Sequence, residues 1–224
     1  MDAVVLAAGK SSRMGEGVSK QLTRIGGKPM MVFSIERLLE HEEIDRIIVT
    51  CPQSLLEQIR GMLGDFRLDN NCVVIAGGAT RQESVALALE NVQTERVLIH
   101  EAARPLITEK LLDRVIGHGG PATVPVTEVP FTVAVGADTM ESDLNRSTLR
   151  NVQLPQVFDT AVLRSAHENA RTNGLQSTED SQLVFWLGQP VAFVEGSESN
   201  LKVTYPVDLL VAEALVYGEK DAIG

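Results

Sequence analysis

The chain has 224 residues, 44% hydrophobic and 22% charged, with a net charge of −10, proportions of a folded globular chain rather than a disordered one. The length suits one domain that buries roughly 70% of its unfolded surface, and the acidic balance excludes nucleic acid or an anionic membrane as the main partner. No run approaches the ~20 apolar residues of a membrane span, the opening MDAVVLAAGKSSRMG lacks a signal-peptide pattern, and Cys51 and Cys72 in apolar runs read as reduced thiols, so the cytoplasm is the expected compartment.

The run Ala3-Val4-Val5-Leu6-Ala7 predicts a strand covered on both faces. Comparable runs follow at 46–50, 72–75 and 96–100, and amphipathic segments lie between and after them at about 29–41, 53–63, 80–91 and 108–117. This alternation predicts βαβ units: an α/β fold, Rossmann-like, with an open, mostly parallel sheet flanked by helices. Ligands in such sheets collect at the carboxyl ends of the strands, which selects the loops 8–20, 76–80 and 100–106. Residues 119–151, with Gly119-Gly120-Pro121, Pro125, Pro130 and Gly136, read as an extended β arm. Helices at about 159–171 and 178–187, a strand at 190–195 and a helix at about 206–217 close the chain. The expectation is one domain over 1–224 with an arm at about 127–150.

The loop Ala7-Ala8-Gly9-Lys10-Ser11-Ser12-Arg13-Met14-Gly15, followed by Lys20, leaves the first strand. Its small residues admit a polyanion close to the backbone, and Arg13 and Lys20 supply charge. It is neither a Walker A loop nor the G-x-G-x-x-G of dinucleotide dehydrogenases. His41, His100, His118 and His167 show no metal-ligand spacing, and structural or surface roles are expected for all four.

With Ala76-Gly77-Gly78-Ala79-Thr80-Arg81-Gln82-Glu83-Ser84-Val85, His100-Glu101-Ala102-Ala103-Arg104-Pro105, Leu154-Pro155-Gln156, Asn200-Leu201-Lys202-Val203-Thr204 and Pro206-Val207-Asp208-Leu209, the chain resembles, over its whole length, the nucleotidyltransferases that activate sugar and polyol phosphates. More narrowly, it resembles the 2-C-methyl-D-erythritol 4-phosphate cytidylyltransferases and the similar ribitol-5-phosphate cytidylyltransferases. The resemblance implies attack by an acceptor phosphate on the α-phosphorus of CTP with release of pyrophosphate, Mg²⁺ as cofactor, and a homodimer formed through the β arm. It implies that Arg13, Lys20 and Lys202 neutralise the triphosphate and its transition state, and that Ala7, Ala8, Gly9, Gly78, Ala79, Ser84, Glu101 and Ala102 hold the nucleotide. Glu101, where the family usually has Asp, is the candidate metal carboxylate. Arg104, Arg146 and Thr204 fall to the acceptor, with Arg150 competing with Arg146. Ser84 also reads as a helix hydroxyl bonded to the preceding turn, and Thr178 reads either as an acceptor threonine or as a helix N-cap.

The departures from the family pattern gather on the acceptor side. Glu128-Val129-Pro130-Phe131 replaces Asp-Thr-Met-Lys, Leu154 stands for the Thr of Thr-Pro-Gln, and Ala79 stands for an Asp. A lost hydrogen bond to a charged group is worth about 1.5–3 kcal/mol, enough to change an acceptor but not the nucleotide chemistry. The expected activity is CMP transfer to methylerythritol phosphate. The alternatives are transfer to ribitol 5-phosphate, another sugar or polyol phosphate or a phosphonate, and, from a different class, a nucleotide-binding regulator without turnover.

Overall fold

Strand β1 (Asp2–Leu6) is buried at every residue and splits its side chains between two cores, which is why its apolar run is unbroken. In the computed structural model, which describes residues 1–9 and 22–218, Ala3 and Val5 pack with Ile35 and Leu38 of α1 (Met30–Leu39), Ile59 and Leu63 of α2 (Leu56–Asp65) and Leu112 and Val115 of α4 (Glu109–Gly117). On the opposite face Val4 and Leu6 pack with Val85 and Leu89 of α3 (Arg81–Leu89), Leu163 and Ala166 of α5 (Thr160–Asn173) and Leu183 and Val184 of α6 (Asp180–Trp186). Helices therefore cover both faces of the sheet.

Parallel pairs join β1 to β4 (Arg46–Cys51) and to β6 (Arg96–Glu101), and β4 to β5 (Cys72–Ala76). Next to β6 lies β11 (Gln156–Asp159), antiparallel, and beyond it β7 (Ala122–Glu128), which also pairs β10 (Arg150–Val152) antiparallel and β12 (Ala192–Glu195) in parallel. Among the described residues this makes one eight-stranded, mostly parallel sheet.

The arm departs from the sequence expectation. Residues 122–128 were expected in it but belong to the main sheet, with Ala122, Thr123 and Val124 fully buried. The misleading signal is Pro125. It donates nothing to the ladder, but its carbonyl accepts from the Gln153 amide at 2.8 Å, so the strand continues through it. The arm leaves the sheet between β7 and β10, where β8 (Ala134–Gly136) and β9 (Met140–Asp143) form an exposed antiparallel hairpin. Leu154, standing where the family has a threonine, is buried in the core with Phe158.

A third cluster joins Ile25 of β2 (Arg24–Ile25) to Ala212 of α7 (Pro206–Gly218), through Met30 and Val203; β2 pairs with β3 (Lys28–Pro29). No described helix is long and apolar enough to cross a membrane.

Candidate active site

The carboxyl ends of β1, β5 and β6 open into one cavity of about 400 Å³. Its walls include Ala7, Ala8, Gly9, Gly78, Ala79, Ser84, Glu101, Ala102 and Lys202, so the fold brings together the eight residues named above as holding the nucleotide, and Lys202 with them. Lys202 arrives from the other end of the sequence because the Val203 amide docks on the Ala103 carbonyl at 2.8 Å. Arg13 and Lys20 lie outside the described residues.

Local chemistry explains the wall that follows β5. A Cβ on Gly77 would lie 2.4 Å from that of Ala8, and one on Gly78 would lie 2.3 Å from that of Glu83, so both positions require glycine for close approach. Helix α3 then starts on a capping box: the Thr80 hydroxyl accepts from the Glu83 amide at 3.0 Å, and Glu83 Oε2 accepts from the Thr80 amide. Ser84 lines the cavity and has the helix-hydroxyl bond expected of it: its Oγ donates to the Thr80 carbonyl at 2.9 Å, and it also accepts from the Gly78 amide at 3.1 Å.

Backbone amides around the cavity are largely spent on the protein. Ala7 donates to Thr50, Ala102 to Leu6, Gly78 to Ser84 and Ala79 to Glu83. These four amides are therefore satisfied within the protein.

The charged side of the cavity is a chain of ion pairs. Lys202 Nζ sits 2.6 Å from Glu101 Oε2, Arg81 Nε 3.7 Å from Glu101 Oε1, and Arg81 Nη1 2.7 Å from Asp180 Oδ2. Asp180 is also 2.9 Å from His167 Nε2. Burial pushes the Glu101 carboxyl up, but Lys202, Arg81 and Arg104 outweigh it and hold Glu101 below the ordinary carboxylate range. Glu179, 3.8 Å from Arg81, goes the other way and is raised by burial. Among the described residues no group of three or more His, Cys, Asp or Glu side chains forms a metal cage. A Mg²⁺ ion that draws most of its ligands from polyphosphate oxygens needs only one or two carboxylates, and the ionised Glu101 on the cavity wall fits that requirement.

The residues assigned to the acceptor are not gathered in this cavity. Arg104 is buried, its Nη1 donating to the Asn200 carbonyl at 2.8 Å. It therefore ties the loop after β6 to the segment that carries Lys202. Arg146 lies on the arm, donating to the Pro130 carbonyl at 2.9 Å, while Arg150 donates to Ser147 and Leu149. The Thr204 hydroxyl donates to the Lys202 carbonyl, and its amide donates to Asp208 at 2.7 Å. Thr178 is exposed and lines a groove between α3 and α5. It is not the cap of α6: Glu179 occupies the N-cap position, and the Ser177 hydroxyl satisfies the Glu179 amide at 3.0 Å.

His100, fully buried, shares a 3.0 Å hydrogen bond between its Nε2 and the Arg104 carbonyl. Burial depresses its pKa from 6.5 to about 4. The unfolded chain therefore binds a proton between those values that the folded chain does not, and stability falls as pH drops from about 6.5 toward 4. Urea midpoints measured across this range should fall with pH, and less steeply for His100→Gln.

Arg81 and Asp180 were missed as site residues. Arg81 sits in the quoted Gly-Gly-Ala-Thr-Arg motif, one residue past the helix cap, and was given no role there. Only the fold shows Asp180, 99 positions later, beneath it.

A family model for 2-C-methyl-D-erythritol 4-phosphate cytidylyltransferase (IspD) matches residues 1–218. A protein of that name from Frankia casuarinae is 39% identical over 221 residues, covering 96% of this chain and 80% of its own. One from Thermus thermophilus is 38% identical over 215 residues, covering 95% of each. A solved structure, the 4-diphosphocytidyl-2C-methyl-D-erythritol synthase of Anaerococcus prevotii, superposes with a TM-score of 0.83 at 26% identity, over 96% of this chain and 95% of that one.

Proposed function

Because the chain belongs to the 2-C-methyl-D-erythritol 4-phosphate cytidylyltransferase family, we infer that the strand-end cavity is its CTP site and that the enzyme transfers CMP from CTP to 2-C-methyl-D-erythritol 4-phosphate. A phosphate oxygen of the acceptor bonds to the α-phosphorus, the bond from that phosphorus to the bridging oxygen of the β-phosphate breaks, and pyrophosphate leaves with the electron pair. The task is to bring two polyanions together, so positioning and charge neutralisation replace a protein nucleophile. Lys202 stands at the cavity wall for this, with Arg13 and Lys20 supplying further charge from the loop after β1. Glu101 would hold Mg²⁺, which when bound neutralises charge on the phosphate oxygens.

The observation that carries the reading is the union of Lys202 and Glu101 with the small-residue walls of one cavity. With Mg²⁺ and acceptor, pyrophosphate release should require CTP and be at least tenfold slower with UTP. CTP binding without pyrophosphate release in any acceptor's presence would instead favour the regulator.

The arm supports a homodimer. Phe131 is 78% exposed and Met140 67%, with Val135 and Leu144 also exposed, an apolar surface on a two-stranded hairpin with no core of its own. Arg146 would then serve the partner's acceptor site. Phe131→Asp combined with Met140→Asp should shift sedimentation from dimer to monomer; an unchanged dimer places the interface elsewhere. The two free cysteines accord with a cytoplasmic enzyme.

A further inference from the structure

Arg81 occupies the first position of α3 and borders both the nucleotide cavity and the groove between α3 and α5. Three carboxylates surround it, at unequal distances: Asp180 at 2.7 Å, Glu101 at 3.7 Å and Glu179 at 3.8 Å. Only the Asp180 contact is short, and Asp180 is 1% exposed, with His167 against its other oxygen. Glu101, meanwhile, takes its close contact from Lys202. The two cations are thus sorted between two carboxylates, Arg81 to Asp180 and Lys202 to Glu101. Without Asp180, Glu101 and Glu179 would be left as the acids within reach of the guanidinium, and a planar, delocalised fork competes well with an ammonium for a carboxylate.

We propose that Asp180 is a positioning residue for the nucleotide site, acting through Arg81: it draws the guanidinium away from Glu101 and so leaves Glu101 paired with Lys202. The inference rests on the CTP-site reading above. It assigns the layer of α5 and α6, which lines no part of the nucleotide cavity, a role in keeping the cavity's charges apart. Neutral groups in place of both Arg81 and Asp180 would remove the misdirected cation along with its holder, so the two substitutions should not add.

The test is a double-substitution cycle with CTP affinity measured by calorimetry in the presence of Mg²⁺, and kcat and KM measured by pyrophosphate release. Asp180→Asn should lower kcat/KM for CTP on the order of tenfold or more, while in an Arg81→Gln background the same change should cost less than about threefold. Asp180→Glu, which keeps the charge, should recover part of the loss. Equal losses in both backgrounds would mean that Asp180 only packs α6 against α5, and would overturn the proposal. If Asp180→Asn alone does not fold, the double variant, which leaves no uncompensated buried arginine, is compared with Arg81→Gln, and a further loss above tenfold is the contradicting result. Wild-type protein that binds no CTP overturns the functional reading and this inference with it. Binding by wild type with additive variants overturns the inference alone.

Discussion

Lys202→Ala is expected to lower kcat by about 10²–10³-fold, the usual cost of removing one preorganised charge from a transition state, while KM for CTP changes by less than about threefold. The reasoning is geometric. Lys202 Nζ is held 2.6 Å from Glu101 at the cavity wall, with the side chain still 39% exposed, so the ammonium is oriented but free to meet an incoming phosphate. Ground-state nucleotide binding is shared among the walls that follow β1, β5 and β6, whereas charge developing on the α-phosphate needs a cation at one place. The site should survive the substitution, because Glu101 keeps Arg81 and Arg104 as stabilising charges. Steady-state kinetics decide the matter: equal losses in CTP affinity and kcat/KM, with kcat unchanged, would make Lys202 a uniform binding contact.

Gly77→Ala carries the second large effect. Its added methyl would meet Ala8 Cβ at 2.4 Å and Ser84 Oγ at 2.9 Å. Neither neighbour can swing away, since Ala8 has no rotamer to change and Ser84 Oγ is engaged with both Gly78 and Thr80. The loop after β1 and the turn before α3 must therefore separate, and they form two walls of the cavity. Overpacking of this kind costs about 1–3 kcal/mol, which for a chain of this size lowers Tm by roughly 2–12 °C. CTP affinity should fall more than tenfold, as read by calorimetry. Gly61→Ala, on the exposed side of α2 with nothing within 4 Å of the added Cβ, is the control that should do neither.

Where neighbouring residues settle the physics, the fold was legible in the sequence. An unbroken apolar run such as Ala3–Ala7 fits a strand buried on both faces, and small residues at its carboxyl end mark a ligand loop. The chosen loops 76–80 and 100–106 supply the cavity's other walls. What failed to show depended on distant partners. Pro125 argued against a central strand because local pattern cannot reveal that Gln153 will use its carbonyl. Thr178 looked like a cap because a hydroxyl directly before Glu179-Asp180 fits that pattern, yet Glu179 takes the N-cap position and its amide goes to Ser177. Arg81 drew no assignment because its counterion comes from α6. Arg104, an acceptor candidate by resemblance, turned out to be buried against Asn200, a carbonyl contact that no spacing rule anticipates.

The acceptor is where sequence departures and structure meet most closely. Leu154 is absorbed by the core, so its difference from the family threonine is a packing change, and Val129 remains at the root of the arm as the altered position. The most direct test of the account follows product formation by ³¹P NMR with CTP and Mg²⁺, offering 2-C-methyl-D-erythritol 4-phosphate and ribitol 5-phosphate in parallel. The account predicts a cytidine diphosphate ester of methylerythritol, formed at a kcat/KM at least tenfold above that for ribitol phosphate. A preference for ribitol phosphate, or pyrophosphate release with neither, would contradict it and place the altered arm in charge of a different acceptor.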